Sequence, residues 1–368
     1  MSKKQNIINY VISFAATIGL LMLTVSVSNA RYSSNAFAAV SFFAIGAVVD
    51  GFIITLFHEL GHKWFGGANG FKTLSLTVWF FRFYKRGKKT EFSFCLLGEE
   101  AGSTAAVPTS TENLAARYRR MTFGGLFFTF ILTLAGVPAY FVKGVPLFVY
   151  ALWAMLVPIG AYSFLGNALP AENGGARNDG AVLLGLKKLD DSTKVTLSLL
   201  AVQAELYGGK TPSEINPDYY FGVPQLPEDD LNFITLLNAR YNYYLDGGDY
   251  ENAKNVSDRL LTLTEYMPKS FACVVKADAL FNASTFAFDP NAADDLAYEL
   301  EKYLNNVNDA ATVRVKAAYA ANVLGEPEGV ERFYKKAVKE ASLCPVKGLG
   351  DMEKKLIDKL KNGDFKPI

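Results

Sequence analysis

The chain has 368 residues, a formal net charge of +1 and a mean hydropathy of +0.13, long enough for two domains. No Lys/Arg run with interleaved aromatics occurs, which excludes a nucleic-acid footprint. Cys95, Cys273 and Cys344 are far apart and form no C-x-x-C pair, which argues against a disulfide framework or a thiolate zinc site.

The small net charge conceals a split. Residues 1–184 carry 15 Lys and Arg against 8 Asp and Glu, net +7. Residues 185–368 carry 22 against 28, net −6. Such asymmetry points to two regions in different surroundings.

Four segments lack charge for about the 20 residues that a bilayer crossing needs. They lie within 5–30, 32–57 (interrupted by Asp50), 121–142 and 144–171. The first has two readings. "MSKK", an apolar run and "SNA" resemble a signal peptide, but the run is long for one, which favours an uncleaved helix. Ten Lys and Arg fall within 63–120, whereas the other short connections offer Arg31 and Lys143. By the positive-inside rule, the N-terminus and everything after 171 are expected to be cytoplasmic, in a multi-pass protein of the cell membrane.

The second segment ends in "LFHELGHKW" (56–64), which holds both histidines of the chain. His58 and His62 stand four residues apart, on one face of a helix, and can offer two imidazole nitrogens to one Zn²⁺. Glu59 is then placed to take a proton from metal-bound water. A catalytic zinc usually has three protein ligands and an open position. With no further histidine, the third is expected to be a carboxylate, or failing that a distant cysteine. Asp50 lies about 12 Å away along the helix axis, too far for the same coordination sphere, and has a structural role or lines a water path.

The next stretch reads as a β-hairpin insertion. "FKTLSLTVWFFRFY" (71–84) and "TEFSFCLL" (90–97) flank the turn-like "KRGKK" (85–89). Its basic tip suits anionic lipid. Its edge could pair with an extended peptide, or the hairpin could simply rest on the membrane surface.

The fourth segment runs into "FLGNALPAENGGARNDGAVLL" (164–184), with acids at Glu172 and Asp179. Non-helical backbone here is tolerable only beside a cavity. Asp179 is the expected third ligand and Glu172 the alternative.

From 186 onward no spanning run appears. Residues 186–230 read as a linker with a first soluble helix. Residues 231–368 read as a cytoplasmic, tetratricopeptide-like helical domain whose apolar face packs as core or binds a protein partner. "LLNARYNYYLDGGDYENAKNVSDRLLTL" (236–263) places Tyr244, Gly248, Tyr250 and Ala253 as such a repeat does, with a weaker copy at 317–341.

Taken together, His58-Glu59-Leu60-Gly61-His62, Asn167-Ala168-Leu169-Pro170 and Asp179-Gly180 resemble the site-2 protease family of intramembrane zinc metalloproteases. "RRMTFGGLFFTF" (119–130) looks like that family's middle motif, with Gly125 on its glycine. The resemblance covers residues 37–185. It implies zinc held by His58, His62 and Asp179, Glu59 as catalytic acid/base, and Asn167 in substrate binding. There are departures: a longer Pro170-to-Asp179 spacing, Thr129 for an Asn, Leu126 for a Pro, and no recognisable PDZ or CBS segment.

The expected architecture is therefore mainly α. Residues 1–185 would form a polytopic bundle of about four spans with a small β-hairpin, followed by the soluble all-α helical-repeat domain. The expected activity is hydrolysis of a peptide bond in a membrane-spanning substrate by zinc-activated water. A membrane peptidase for short peptides and an inactive scaffold are the competing expectations.

Overall fold

A computed structural model of the chain describes residues 3–32, 36–95, 101–173, 176–326 and 328–368. It is mostly helical, as the sequence leads one to expect, and divides into two units. One comprises 1–84, 90–106 and 115–190; the other comprises 85–89, 107–114 and 191–368.

Among the described residues of the first unit, four stretches are long and apolar enough to cross a membrane: Lys4–Arg31, Ala36–Ala68, Leu114–Tyr140 and Leu147–Ala168. They form α1 (Lys3–Arg31), α2 (Ala36–Ala68), α3 (Leu114–Gly136), α4 (Leu147–Ala154) and α5 (Leu156–Ala168). The break between α4 and α5 at Met155 has a local cause. Pro158 has no N–H for the carbonyl of Ala154, and its ring crowds that carbonyl. The ladder resumes with Ile159 N–H donating to Met155 O, at 3.2 Å.

α2 buries a narrow stripe of Gly46, Asp50, Ile54, His58 and Gly61, which recurs at the helical period and includes the motif. Gly61 lets α2 and α3 approach backbone to backbone, because a Cβ there would lie 2.7 Å from the Gly124 carbonyl carbon. Two hydrogen bonds tie α1 to the later part of the unit. Asn9 Nδ2 donates to Pro170 O at 2.7 Å, and Tyr150 Oη donates to Thr24 O at 3.0 Å. Asp50 is 3% exposed and its Oδ2 has no hydrogen-bond partner.

The insertion is larger than a hairpin. It is a four-stranded sheet of order β3-β2-β1-β4, from β1 (Phe71–Val78), β2 (Phe81–Arg86), β3 (Lys89–Phe94) and β4 (Gly102–Pro108). The single run expected over 71–84 folds back on itself, with Val78 opposite Phe81 and Ser75 opposite Tyr84. The tight turn has Trp79 at φ +54, a left-handed conformation costing a non-glycine residue roughly 1–2 kcal/mol. Its ring packs edge-on to Phe52 of α2, centroids 5.6 Å apart, which offsets that strain. Leu96 and Leu97, the end of the expected second strand, lie outside the described residues.

After α5 the chain makes a short antiparallel pair, β5 (Glu172–Asn173) and β6 (Ala176–Arg177), and then α6 (Asp179–Lys188). This pair occupies the spacing that departs from the family pattern.

The second unit is helical, from α7 (Asp191–Gly208) and α8 (Asp218–Phe221) to α16 (Lys347–Asn362). Helix pairs follow one another: α9 (Leu231–Gly247) with α10 (Tyr250–Leu261), α11 (Lys269–Ala283) with α12 (Pro290–Glu299), and, after α13 (Glu301–Asn306), α14 (Ala310–Asn322) with α15 (Glu328–Ser342). Gly248 closes α9 at φ +80, where a side chain would be strained, and Asp249 caps α10 through the Asn252 N–H. Ala253 is fully buried, and Tyr250 stacks on Phe286 with centroids 4.6 Å apart. One charge sits deep in this core. Arg314 of α14, 1% exposed, donates through Nε to Glu353 Oε2 of α16 at 2.7 Å. It also lies 3.6 Å from Asp278 of α11 and 4.0 Å above the Phe281 ring.

Candidate metal centre

The motif residues occupy the last third of α2, where each has a defined partner. His58 Nδ1 lies 2.9 Å from Thr129 Oγ1, and that hydroxyl donates its proton to Gly125 O at 3.0 Å. The hydroxyl therefore accepts from His58, which fixes the proton on Nδ1. His62 Nδ1 lies 3.1 Å from Met121 O, a group that can only accept, so this proton too is on Nδ1. Both Nε2 atoms are left with their lone pairs, and they face each other at 3.1 Å.

Asp179, the first residue of α6, completes the group. Its Oδ2 lies 3.3 Å from His58 Nε2 and 3.4 Å from His62 Nε2. That oxygen is buried and receives no hydrogen bond. With both imidazoles neutral, three electron-pair donors converge here, an arrangement that a cation among them would stabilise. Among the described residues, His58, His62 and Asp179 form the group that could hold a metal ion.

Two glycines make the convergence possible. A Cβ at Gly125 of α3 would press on His62 Nε2 and lie 2.5 Å from His62 Cε1 and 2.9 Å from His58 Cε1. A Cβ at Gly180 would lie 2.6 Å from the Ala168 carbonyl carbon, so only glycine lets α6 start against the end of α5.

Glu59 is 6% exposed, and its Oε2 accepts from Thr104 Oγ1 of β4 at 2.7 Å. With the three donor residues it lines a cavity of about 560 Å³. The cavity wall also includes Ala101 and the start of β4 (Gly102, Ser103 and Thr104), Tyr118 and Met121 of α3, Asn167 of α5, and Tyr10 of α1. Asn167 donates to Ser163 O at 2.9 Å while lining this space.

The alternatives raised by the sequence are not in the donor group. Glu172 also lines the cavity, but its Oε2 accepts from Arg177 Nε at 3.0 Å and it is not in the donor group. Arg177 is in turn bonded to Asp190 at 3.0 Å; burial opposes its charge, and Asp190 and Glu172 more than restore it. The cysteines are free thiols and none lines the cavity. Asp50 is not among the lining residues either.

Sequence reasoning passed over three residues of this region: Thr104, Asn178 and, as a partner of His58, Thr129. Thr129 was visible as a departure from the family motif, and a hydroxyl one turn beyond Gly125 was the available signal. Asn178, directly before the acid, carried the familiar signature of a helix N-cap. Thr104 had no local signal, because its role depends on β4 packing against α2. Comparison of the chain with family models, curated proteins and solved structures finds no match.

Proposed function

We propose that the chain is an intramembrane zinc metalloprotease, similar to the site-2 protease family, that hydrolyses a peptide bond of a membrane-spanning protein. The observation that carries this is the convergence of two imidazole Nε2 atoms and a carboxylate oxygen at 3.1–3.4 Å. A tetrahedral zinc with bonds of about 2.0–2.1 Å has ligand-to-ligand edges of roughly 3.3 Å, so these donors fit one face of that tetrahedron. Zinc held by His58, His62 and Asp179 would keep a position open for water or substrate. When bound, zinc supplies Lewis acidity, which lowers the pKa of water and polarises a carbonyl.

The remaining steps belong to the protein. Glu59, held by Thr104 in the same cavity, takes one proton from the attacking water while its oxygen bonds to the scissile carbonyl carbon. As the C–N bond breaks, Glu59 returns that proton to the departing amine, and atoms balance. Asn167 on the cavity wall is a hydrogen-bonding group for the substrate backbone. β4 is an outer strand of the sheet, and its Gly102–Thr104 segment lines the cavity. An unwound substrate segment added along this strand would present extended backbone to Glu59.

The membrane setting rests on the four apolar helices. The basic residues of 63–120 support a cytoplasmic N-terminus and C-terminal domain in the cell membrane. The bonds of α1 to Pro170 and Tyr150 support its retention as a helix rather than its removal.

The test is comparative membrane proteomics of cells carrying the wild type or Glu59→Gln. A single-span protein that persists intact only in the variant supports the proposal. Equal processing in both cell lines refutes it. Accumulation of short peptides alone favours the peptidase reading instead.

A further inference from the structure

The three donors are not held alike. Each imidazole is oriented at its far nitrogen, His58 by Thr129 and His62 by the Met121 carbonyl. Asp179 Oδ2 has no such support, since no hydrogen bond reaches it. Its aim therefore depends on the backbone that carries it.

That backbone is gripped by Asn178, whose amide is used in full. Oδ1 accepts from Ala171 N–H at 2.9 Å and from Ala181 N–H at 3.0 Å. Nδ2 donates to Gly166 O and to Leu169 O, both at 2.7 Å. A primary amide has two protons and two acceptor sites, and all four are engaged. Its own backbone N–H adds a fifth bond, to Ala171 O at 3.1 Å.

Helix capping alone does not account for this pattern. An N-cap needs the bond to Ala181, one of the free N–H groups in the first turn of α6. The other side-chain bonds reach 7, 9 and 12 residues back. They tie the end of α5, the entry to β5 and the start of α6 into one knot, with Asp179 as its next residue. Gly180 then seats α6 against Ala168.

We propose that Asn178 is the positioning residue of the metal centre. It sets the direction of the Asp179 carboxylate and thereby the affinity of the site for a divalent cation of the zinc class. The inference rests on the assignment of His58, His62 and Asp179 as ligands, and not on peptide hydrolysis. It also gives the long Pro170-to-Asp179 spacing a physical role: the β5–β6 pair occupies the extra length, and one amide closes its base. Aspartate at 178 would keep both acceptor bonds but lose both donors, and it would add a second carboxylate beside the ligand. Alanine would lose all four side-chain bonds.

The experiment uses the full chain in detergent micelles, without substrate. Zinc affinity is measured by competition with a fluorescent chelator, and thermal midpoints are recorded with and without zinc. Asn178→Ala and Asn178→Asp are compared with Asp309→Ala, which removes an ordinary N-cap from α14 in the other unit. Supporting-residue changes at metal sites typically cost about 10–100-fold in affinity, and both Asn178 variants are expected in that range. Their zinc-induced rise in midpoint should shrink. Asp309→Ala should lower the midpoints with and without zinc alike and leave affinity unchanged. If Asn178→Ala does not fold, Asn178→Asp, which keeps the cap acceptor, decides. Wild-type affinity and an unchanged zinc-induced rise in the Asn178 variants would overturn the proposal while leaving the metal centre intact. Because Glu59→Gln is read in cleavage and this test in zinc affinity, either reading can fail alone.

Discussion

Gly125→Ala should abolish metal binding without unfolding the protein. The added methyl would overlap His62 Nε2 and approach His62 Cε1 to 2.5 Å and His58 Cε1 to 2.9 Å. Ordinary contact for such atoms is about 3.5–4.0 Å, so the rings must retreat by roughly 1 Å. Metal-site geometry tolerates about ±0.2 Å, several times less than that. The crowded atoms are tips of side chains that can rotate, so strain is relieved within the site and the fold survives. Gly61→Ala differs, because its methyl meets the Gly124 backbone and must force α2 from α3. Zinc content of purified protein, with far-UV circular dichroism as the check on folding, measures the effect. The expectation for Gly125→Ala is a wild-type spectrum and a zinc affinity reduced more than ~100-fold. Stoichiometric zinc at wild-type affinity would refute the placement of both imidazoles.

Other expectations follow from single contacts. Thr129→Val removes the acceptor that orients His58 and should weaken zinc binding by about 10–100-fold, while Thr129→Ser restores it; chelator competition reads both. Arg314→Ala leaves the largely enclosed Glu353 and Asp278 without their cation and should destabilise by ~3–5 kcal/mol, measured as a lowered urea midpoint. Burial pushes the Asp278 carboxyl up to about 7 against the pull of Arg314, so between pH ~4 and ~7 the folded chain binds a proton that the unfolded chain has lost. Stability therefore falls as pH rises through that window, by at most ~4 kcal/mol. Asp278→Asn should flatten that dependence in urea unfolding at pH 4.5 and 7.5, and an unchanged slope would place the titration elsewhere.

What the sequence made legible is what local spacing encodes. The apolar segments declare themselves by length, and His58 and His62 share a face because four residues make about one turn. Asp50 could be set aside from the rise per residue alone, and the structure buries it apart from the cavity. Asp179 was legible as an acid after a non-helical stretch beside a cavity, and it lies with the histidines. The turn at Trp79 was hidden, since its left-handed residue is an aromatic held by Phe52 rather than a glycine or asparagine. β4 was hidden because "GSTAAVP" has no alternation of large apolar residues to mark it as a strand. Thr104 and the reach of Asn178 depend on residues far along the chain or in other elements, which no local pattern records.

Zinc K-edge X-ray absorption on the purified full chain tests the central claim most directly. The account predicts one zinc per chain with nitrogen and oxygen neighbours at about 2.0–2.2 Å and no sulfur. It also predicts that this signal is lost on replacing His58, His62 or Asp179. No retained zinc in the wild type, or a sulfur shell at about 2.3 Å, would contradict it.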